Sequence, residues 1–310
     1  MEINYSSKRE KFIYDFLIKE GIRVIQNDRN TLSDVGGYEL DLYLPDYKIA
    51  FEFNGYLFHC SGTKTRHGFG GKPKYYHKLK TEICLKKGIR LYHIWESCSD
   101  ELTLSIVRAK LGLCEKVYAR KCKIEVLDKS NEKEFFDKNH VDGFTKSLKC
   151  YALIFNGEIV CALSLRRNFS NQMEIARFAS KLNTEVIGGY SKLLKTIKES
   201  LSKENITELV SYCNRDLSPD PFNNFYFNHG FKFEKECSLI MNYYSINFTE
   251  VNGVVYKPYT LVSRFNLRKQ ILINELGERY TTGMNELECA ELLEFRPVYN
   301  SGNFKYKMKI

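Results

Sequence analysis

The chain has 310 residues, a formal net charge of +9, 43% hydrophobic and 14% aromatic side chains, enough for two or three domains that each bury a core. This composition excludes low-complexity and collagen-like chains, and no apolar run is long enough to span a bilayer. The basic excess favours a polyanionic partner. MEINYSSKREK lacks the apolar stretch of a signal peptide, so a cytoplasmic protein is expected, the host cytoplasm if a phage encodes it. Ten scattered cysteines read as small core residues and free thiols of a reducing compartment, not as a disulfide framework.

In chain order, Ser6 or Ser7 can cap a helix whose stripe is Phe12, Ile13, Phe16 and Leu17, ended by Gly21. Glu10 lies off that stripe, where it reads by itself as a favourable charge near a helix N-terminus. Residues 22–26 form a strand, and a polar, glycine-bearing loop covers 27–37.

The stretch ELDLYLPDYKIAFEFNGYLFH follows. Two runs rich in aromatic and branched residues, 40–44 and 48–53, flank Pro45-Asp46-Tyr47, a turn signal that predicts a β-hairpin. If Leu44 pairs with Ile49, Asp41 faces Glu52, and Asn54 follows on the same face. Two facing carboxylates repel unless one is protonated or a cation lies between them, and such oxygen ligands suit Mg²⁺.

Beyond His59, residues 60–74 carry four glycines with Lys64, Arg66, Lys72 and Lys74, a segment that can order on a phosphate backbone. A helix at 75–87 adds His77, Lys78, Lys80, Lys86 and Lys87 and stops at Gly88. Residues 89–95 read as a central strand and 101–111 as a helix.

These residues resemble the PD-(D/E)xK nuclease core, with Asn54 in place of its lysine, and more closely the Vsr-like (EDxHD) endonucleases. The resemblance implies a restriction-endonuclease-like N-terminal domain, a mixed sheet flanked by helices. It implies catalytic roles for Glu10, Asp41, Glu52 and His59, and a metal held by Asp41, Glu52 and the Phe53 carbonyl. The metal would be Mg²⁺, with Mn²⁺ able to substitute. No zinc is expected, because Tyr56, Ser61 and Thr63 stand where its ligands would lie. The helix that should orient His59 through an aspartate offers His77 and lysines instead.

After a break at 115–122 the rhythm changes. A helix at 131–139 precedes a hairpin, 149–156 and 158–165, around Asn156-Gly157. A strand at 173–178, a helix at 189–201, a strand at 208–213 and a short helix at 222–228 follow. YALIFNGEIVCALSL, VIGGYSKLLKTI and NFYFNHGFKFE resemble the central hairpin, cofactor loop and closing segment of the GNAT acetyltransferase fold. The family's glycine-rich loop is degenerate here: Gly188 and Gly189 adjoin, Tyr190 fills a small-residue position, and Glu185 replaces a basic or amide residue. A GNAT-like α/β module repurposed for DNA contact or assembly is therefore expected, with Arg166, Arg167, Arg177 and Lys181 as phosphate contacts. In the arm at 247–310, Tyr256, Tyr259, Arg264, Phe265, Arg268 and Lys269 interleave aromatic and basic groups, which suits phosphate contact combined with base stacking.

The expected chain is thus α/β (α+β): a nuclease domain at 1–114, a linker at 115–122, a GNAT-like domain at 123–246 and an arm at 247–310. Its leading function is a Mg²⁺-dependent, site-specific endonuclease of phage homing or mobile-element type, acting on double-stranded DNA without a membrane. A homodimer would permit two cuts in one encounter. The alternatives are a Vsr-type mismatch nickase, a GNAT acyltransferase with an inactive nuclease-like domain, and a non-catalytic DNA-binding protein.

Overall fold

The structure, a computed structural model, describes residues 8–61 and 71–310. The first helix, α1 (Lys8–Lys19), buries Glu10, Ile13 and Leu17 at spacings of three and four, while Phe12 is exposed. The buried stripe is thus rotated from the one the aromatic residues suggested. Strands β1 (Ile25–Asp28), β2 (Leu40–Leu44) and β3 (Ile49–Asn54) follow, then the single turn α2 (Tyr56–His59), α3 (Tyr76–Lys86) and β4 (Arg90–Trp95). The β2–β3 hairpin is antiparallel with Leu44 opposite Ile49, the anticipated register, and β4 joins β3 in parallel to give a mixed four-stranded sheet, β1-β2-β3-β4. Leu40, Ala50, Leu91, Ile89 and Cys84 close a core between this sheet and α3.

Next come α4 (Asp100–Leu111), capped by Ser99, then β5 (Glu115–Tyr118), β6 (Lys123–Val126) and α5 (Lys129–Asn139), capped by Asp128. Strands β7 (Lys149–Phe155) and β8 (Glu158–Phe169) meet at Asn156-Gly157, where φ values of 51° and 81° fit a tight primed turn. Then follow β9 (Gln172–Ser180), β10 (Thr184–Ile187), α6 (Gly189–Ser202), β11 (Glu208–Asn214), the short α7 (Phe225–Asn228) and β12 (Lys232–Glu236).

Beyond lie β13 (Met241–Ser245), the hairpin β14 (Thr249–Val251) and β15 (Val254–Tyr256), β16 (Leu261–Ser263), α8 (Lys269–Leu276), α9 (Glu286–Leu292), β17 (Phe295–Tyr299) and β18 (Asn303–Lys309). Among the described residues no helix is long and apolar enough to cross a membrane.

Contacts divide the chain into two interleaved units, whereas the sequence suggested consecutive domains. The first gathers Met1–Glu96, Arg215–Pro219 and Cys237–Asn303; the second gathers Ser97–Asn214, Asp220–Glu236 and Phe304–Ile310. The late segment of the first unit builds its own three-stranded sheet, β16-β13-β17, over Tyr243, Leu267, Leu272, Leu276 and Phe295. It therefore has a core of its own, and it belongs to the same unit as the N-terminal sheet. Cys60 bridges to Val298 and Tyr56 packs near Tyr244 within that unit.

The second unit carries a seven-stranded mixed sheet, β12-β18-β11-β9-β8-β7-β6, with a separate parallel pair, β10-β5. One face packs on α6 through Leu163, Leu165, Ile175, Leu193, Ile197 and Leu209; the other packs on α5 through Phe136, Cys150, Ala152, Ala162 and Ala179. Parallel strands buried on both faces call for such unbroken apolar runs.

Candidate functional site

In the first unit the hairpin register sets Leu42 against Phe51 and so brings Asp41 beside Glu52. The Asp41 N–H donates to Glu52 Oε1 at 3.3 Å, and Asp41 Oδ2 accepts from the Phe53 N–H at 2.8 Å. Lys80, from α3, donates to Glu52 Oε2, and both side chains are almost wholly buried. Burial first, and the Glu52 charge second, push Asp41 up to about 7. Burial opposes the Lys80 charge, but Glu52, Tyr76 and Asp41 together outweigh it and keep the amine protonated.

Beside this group, His59 stacks on His77 at 5.0 Å, their Nδ1 and Nε2 3.3 Å apart. Burial, reinforced by Lys72 and Lys80, pushes His59 down to about 3, so it is neutral at physiological pH and a poor base. His93 lies between Asn54 Nδ2 at 3.2 Å and the Thr81 hydroxyl at 2.9 Å, and the Trp95 indole N–H donates to Asp216 at 2.8 Å.

The predicted Mg²⁺ centre is therefore corrected. Asp41 and Glu52 do meet, but an ammonium rather than a cation site neutralises the pair. Among the described residues no group of three His, Cys, Asp or Glu side chains could hold a metal ion. Phe53 meets Asp41 through its N–H, and Glu10 is buried on the α1 face with Ile13 and Leu17. His59, given the catalytic role, stacks on His77 and is held neutral by burial. Asn54 and His77, which the nuclease reading would set against DNA, are both buried. Lys78 is 3.7 Å from Glu82, Lys72 lies over the Tyr76 ring, and Lys74 is exposed over Tyr75. Lys64 and Arg66 fall outside the described residues. Arg166 pairs with Glu174, Arg167 donates to the Ser170 carbonyl, and Arg264 forks onto Glu286. Arg268 covers Phe265, and Lys269 is exposed.

The second unit holds a different arrangement. Strands β9 and β11 run parallel in register from Gln172↔Glu208 to Ile175↔Ser211, and their pairing ends there although β9 continues to Ser180 and β11 to Asn214. Parallel register puts Ser211 on the Ile175 face, which is the α6 face, and Glu174 on the opposite, α5 face. Glu174 is buried and salt-bridged to Arg166 at 2.7 Å. Tyr226, from α7, packs on the α6 side with its hydroxyl bonded to Ser211; burial raises its pKa, Glu174 raises it further, and Arg177 opposes. The Arg177 Nε donates to the Gly143 carbonyl at 2.9 Å, so this residue is built into the sheet rather than free for phosphate. Lys181 pairs with Glu158.

At the start of α6, Gly188 has φ of 74°, and a Cβ on Gly189 would meet Val186 Cγ1 at 2.9 Å, so both positions need glycine. Tyr190 follows, 4.4 Å from the Phe225 ring and 4.8 Å from His229, with its buried hydroxyl lacking a hydrogen-bond partner. Glu185 is exposed and pairs in register with Lys116 on β5, which offsets its charge. Sequence reasoning passed over His93, Glu174 and Ser211, and it named Lys80 only among the lysines of its helix. Tyr226 lay inside NFYFNHGFKFE without being singled out.

No family model and no curated protein matches the sequence. Solved structures similar to the chain include a GNAT family acetyltransferase from Elizabethkingia anophelis with acetyl-CoA bound, at 11% identity over 61% of this chain and 99% of that one, TM-score 0.31. A Bacillus subtilis acetyltransferase in complex with CoA is similar at 13% identity over 61% and 99%, TM-score 0.33. The ribosomal-protein-S18-alanine N-acetyltransferase from Escherichia coli is similar at 12% identity over 43% and 88%, TM-score 0.32. At these scores none carries an activity over to this chain. The chain is mixed α/β, and the solved structures similar to it include GNAT acetyltransferases. The endonuclease and hydrolase reading is corrected with the metal centre on which it depended: these neighbours are acetyltransferases, the first two described with acetyl-CoA or CoA.

Proposed function

We propose that the second unit is an acyltransferase that moves an acyl group from a CoA thioester to an amine. One observation carries the reading: a buried carboxylate, Glu174, and a partly buried phenol, Tyr226, stand on opposite faces of the sheet where the β9–β11 pairing ends. Acyl transfer needs a proton taken from the attacking amine and another given to the departing thiolate, which a group on each side of the carbonyl can provide.

The residues present fit such a donor. The β9–β11 pairing ends at Ile175↔Ser211, and an extended amide-bearing arm would enter there. The N-terminus of α6, opened by Gly188 and Gly189, would hold the pyrophosphate, and the unpartnered Tyr190 hydroxyl offers a further donor there. The bound thioester would supply the activated carbonyl. Glu174 then accepts the proton of the acceptor amine, with Arg166 fixing its carboxylate. Tyr226, its pKa raised chiefly by burial, remains a phenol until it protonates the thiolate, and Ser211 orients its hydroxyl.

Calorimetric titration with acetyl-CoA tests this reading. Saturable binding of one molecule per chain is expected, weakened several-fold in Tyr190→Phe and retained in Tyr226→Phe. Absence of binding by the folded protein rules it out.

A further inference from the structure

Beyond acyl transfer, we propose that the exposed aromatic and basic surface at residues 257–269 of the first unit binds single-stranded nucleic acid. Phe265 is 66% exposed in the helical turn Arg264–Leu267, and Tyr259 is 65% exposed just ahead of β16. The Arg268 guanidinium lies 4.1 Å from the centroid of the Phe265 ring, holding the ring in place and leaving it one free face. Tyr259 has φ of 63°, a left-handed backbone that a bulky side chain rarely adopts. Two hydrogen bonds clamp it there: its N–H donates to the Ser245 carbonyl at 2.8 Å, and the Ser245 N–H donates to the Thr260 carbonyl at 2.9 Å. The strain therefore presents an aromatic ring to solvent instead of burying it.

Charge selects the occupant. Lys257, Arg268 and Lys269, all exposed, lie within four residues of Tyr259 or Phe265 in the chain, Arg268 against the Phe265 ring itself, and the carboxylate of Glu286 is already taken by Arg264 and by the Tyr243 hydroxyl. Flat rings alternating with cations match a ligand that alternates flat rings with phosphates. In a duplex the base faces are covered by their neighbours and must be unstacked first, so the exposed rings of Phe265 and Tyr259 stack most readily on unpaired bases. The proposed single strand takes the place of the double-stranded partner expected from the same residues.

The test is fluorescence anisotropy of the full chain with labelled oligodeoxythymidylate, a hairpin duplex of equal charge, and heparin as competitor. The expected result is single-strand binding about tenfold or more tighter than duplex binding and a loss of about tenfold in Phe265→Ala. Tyr259→Ala should lose a similar amount. Arg268→Gln should weaken binding and lower the salt slope by about 0.7. Phe169→Ala, at a 64% exposed residue of the second unit, should change nothing. No binding, duplex or heparin binding as strong as the single strand, or an unaffected Phe265→Ala protein with unchanged circular dichroism would each overturn the proposal.

Discussion

Lys80 on α3 donates to the Glu52 carboxylate on β3, with the two side chains 3% and 4% exposed. The pair sits beside Asp41, so one cation serves two acids in a dry interior. Desolvation makes each charge costly alone, and removing one partner of such a pair typically costs about 3–5 kcal/mol.

Lys80→Met should therefore destabilise the first unit by about that amount, while adding Glu52→Gln to the same chain should recover most of it. Trp95 is the only tryptophan and belongs to the first unit, so urea unfolding followed by its fluorescence reads this unit alone. Equal stability of the single and double variants would contradict the pairing.

Asp41 links the same unit to pH. Its carboxyl is raised from 3.8 to about 7 in the folded protein, by burial and then by Glu52. The folded state thus holds a proton that the unfolded state releases. The associated stability is complete below about pH 4 and is lost as pH rises through about 7; a shift of this size corresponds to roughly 4 kcal/mol. Asp41→Asn keeps an oxygen for the Phe53 N–H and removes the titration. The variant should gain stability at pH 8 and flatten the profile between pH 4 and 7, again by Trp95 fluorescence.

Tyr190 sets stability against binding in the second unit. Its buried hydroxyl has no partner, and such a group typically costs about 1–3 kcal/mol. Tyr190→Phe should slow hydrogen exchange in β7 to β9 by a corresponding factor while weakening the acyl donor. A loss of protection would mean that the hydroxyl is satisfied in solution.

What the sequence disclosed was mainly local. Pro45-Asp46 and Asn156-Gly157 announced two hairpins, and alternation set the Leu44–Ile49 register that joins Asp41 to Glu52. What joined that pair was not legible, because Lys80 sits among helix lysines that look solvated and its burial depends on β3 approaching α3. The stripe of α1 was misjudged for a similar reason: a buried Glu10 and an exposed Phe12 reverse the usual hydrophobic pattern. The split of the chain also escaped, since the bridge of Cys60 to Val298 joins residues too distant for periodicity to connect. Glu174 looked like an ordinary break in an apolar strand. Only the end of the β9–β11 pairing, and Tyr226 across it, gave that residue a chemical setting.

The central claim is most directly tested by thiol release from acetyl-CoA with a panel of primary amines at pH 8, comparing the native chain with Tyr226→Phe and Glu174→Gln. Amine-dependent release is predicted, with kcat reduced about tenfold to a hundredfold in Tyr226→Phe while donor affinity is kept, and a comparable loss in Glu174→Gln. Release that is absent with every amine, or equal in all three proteins, would contradict the account.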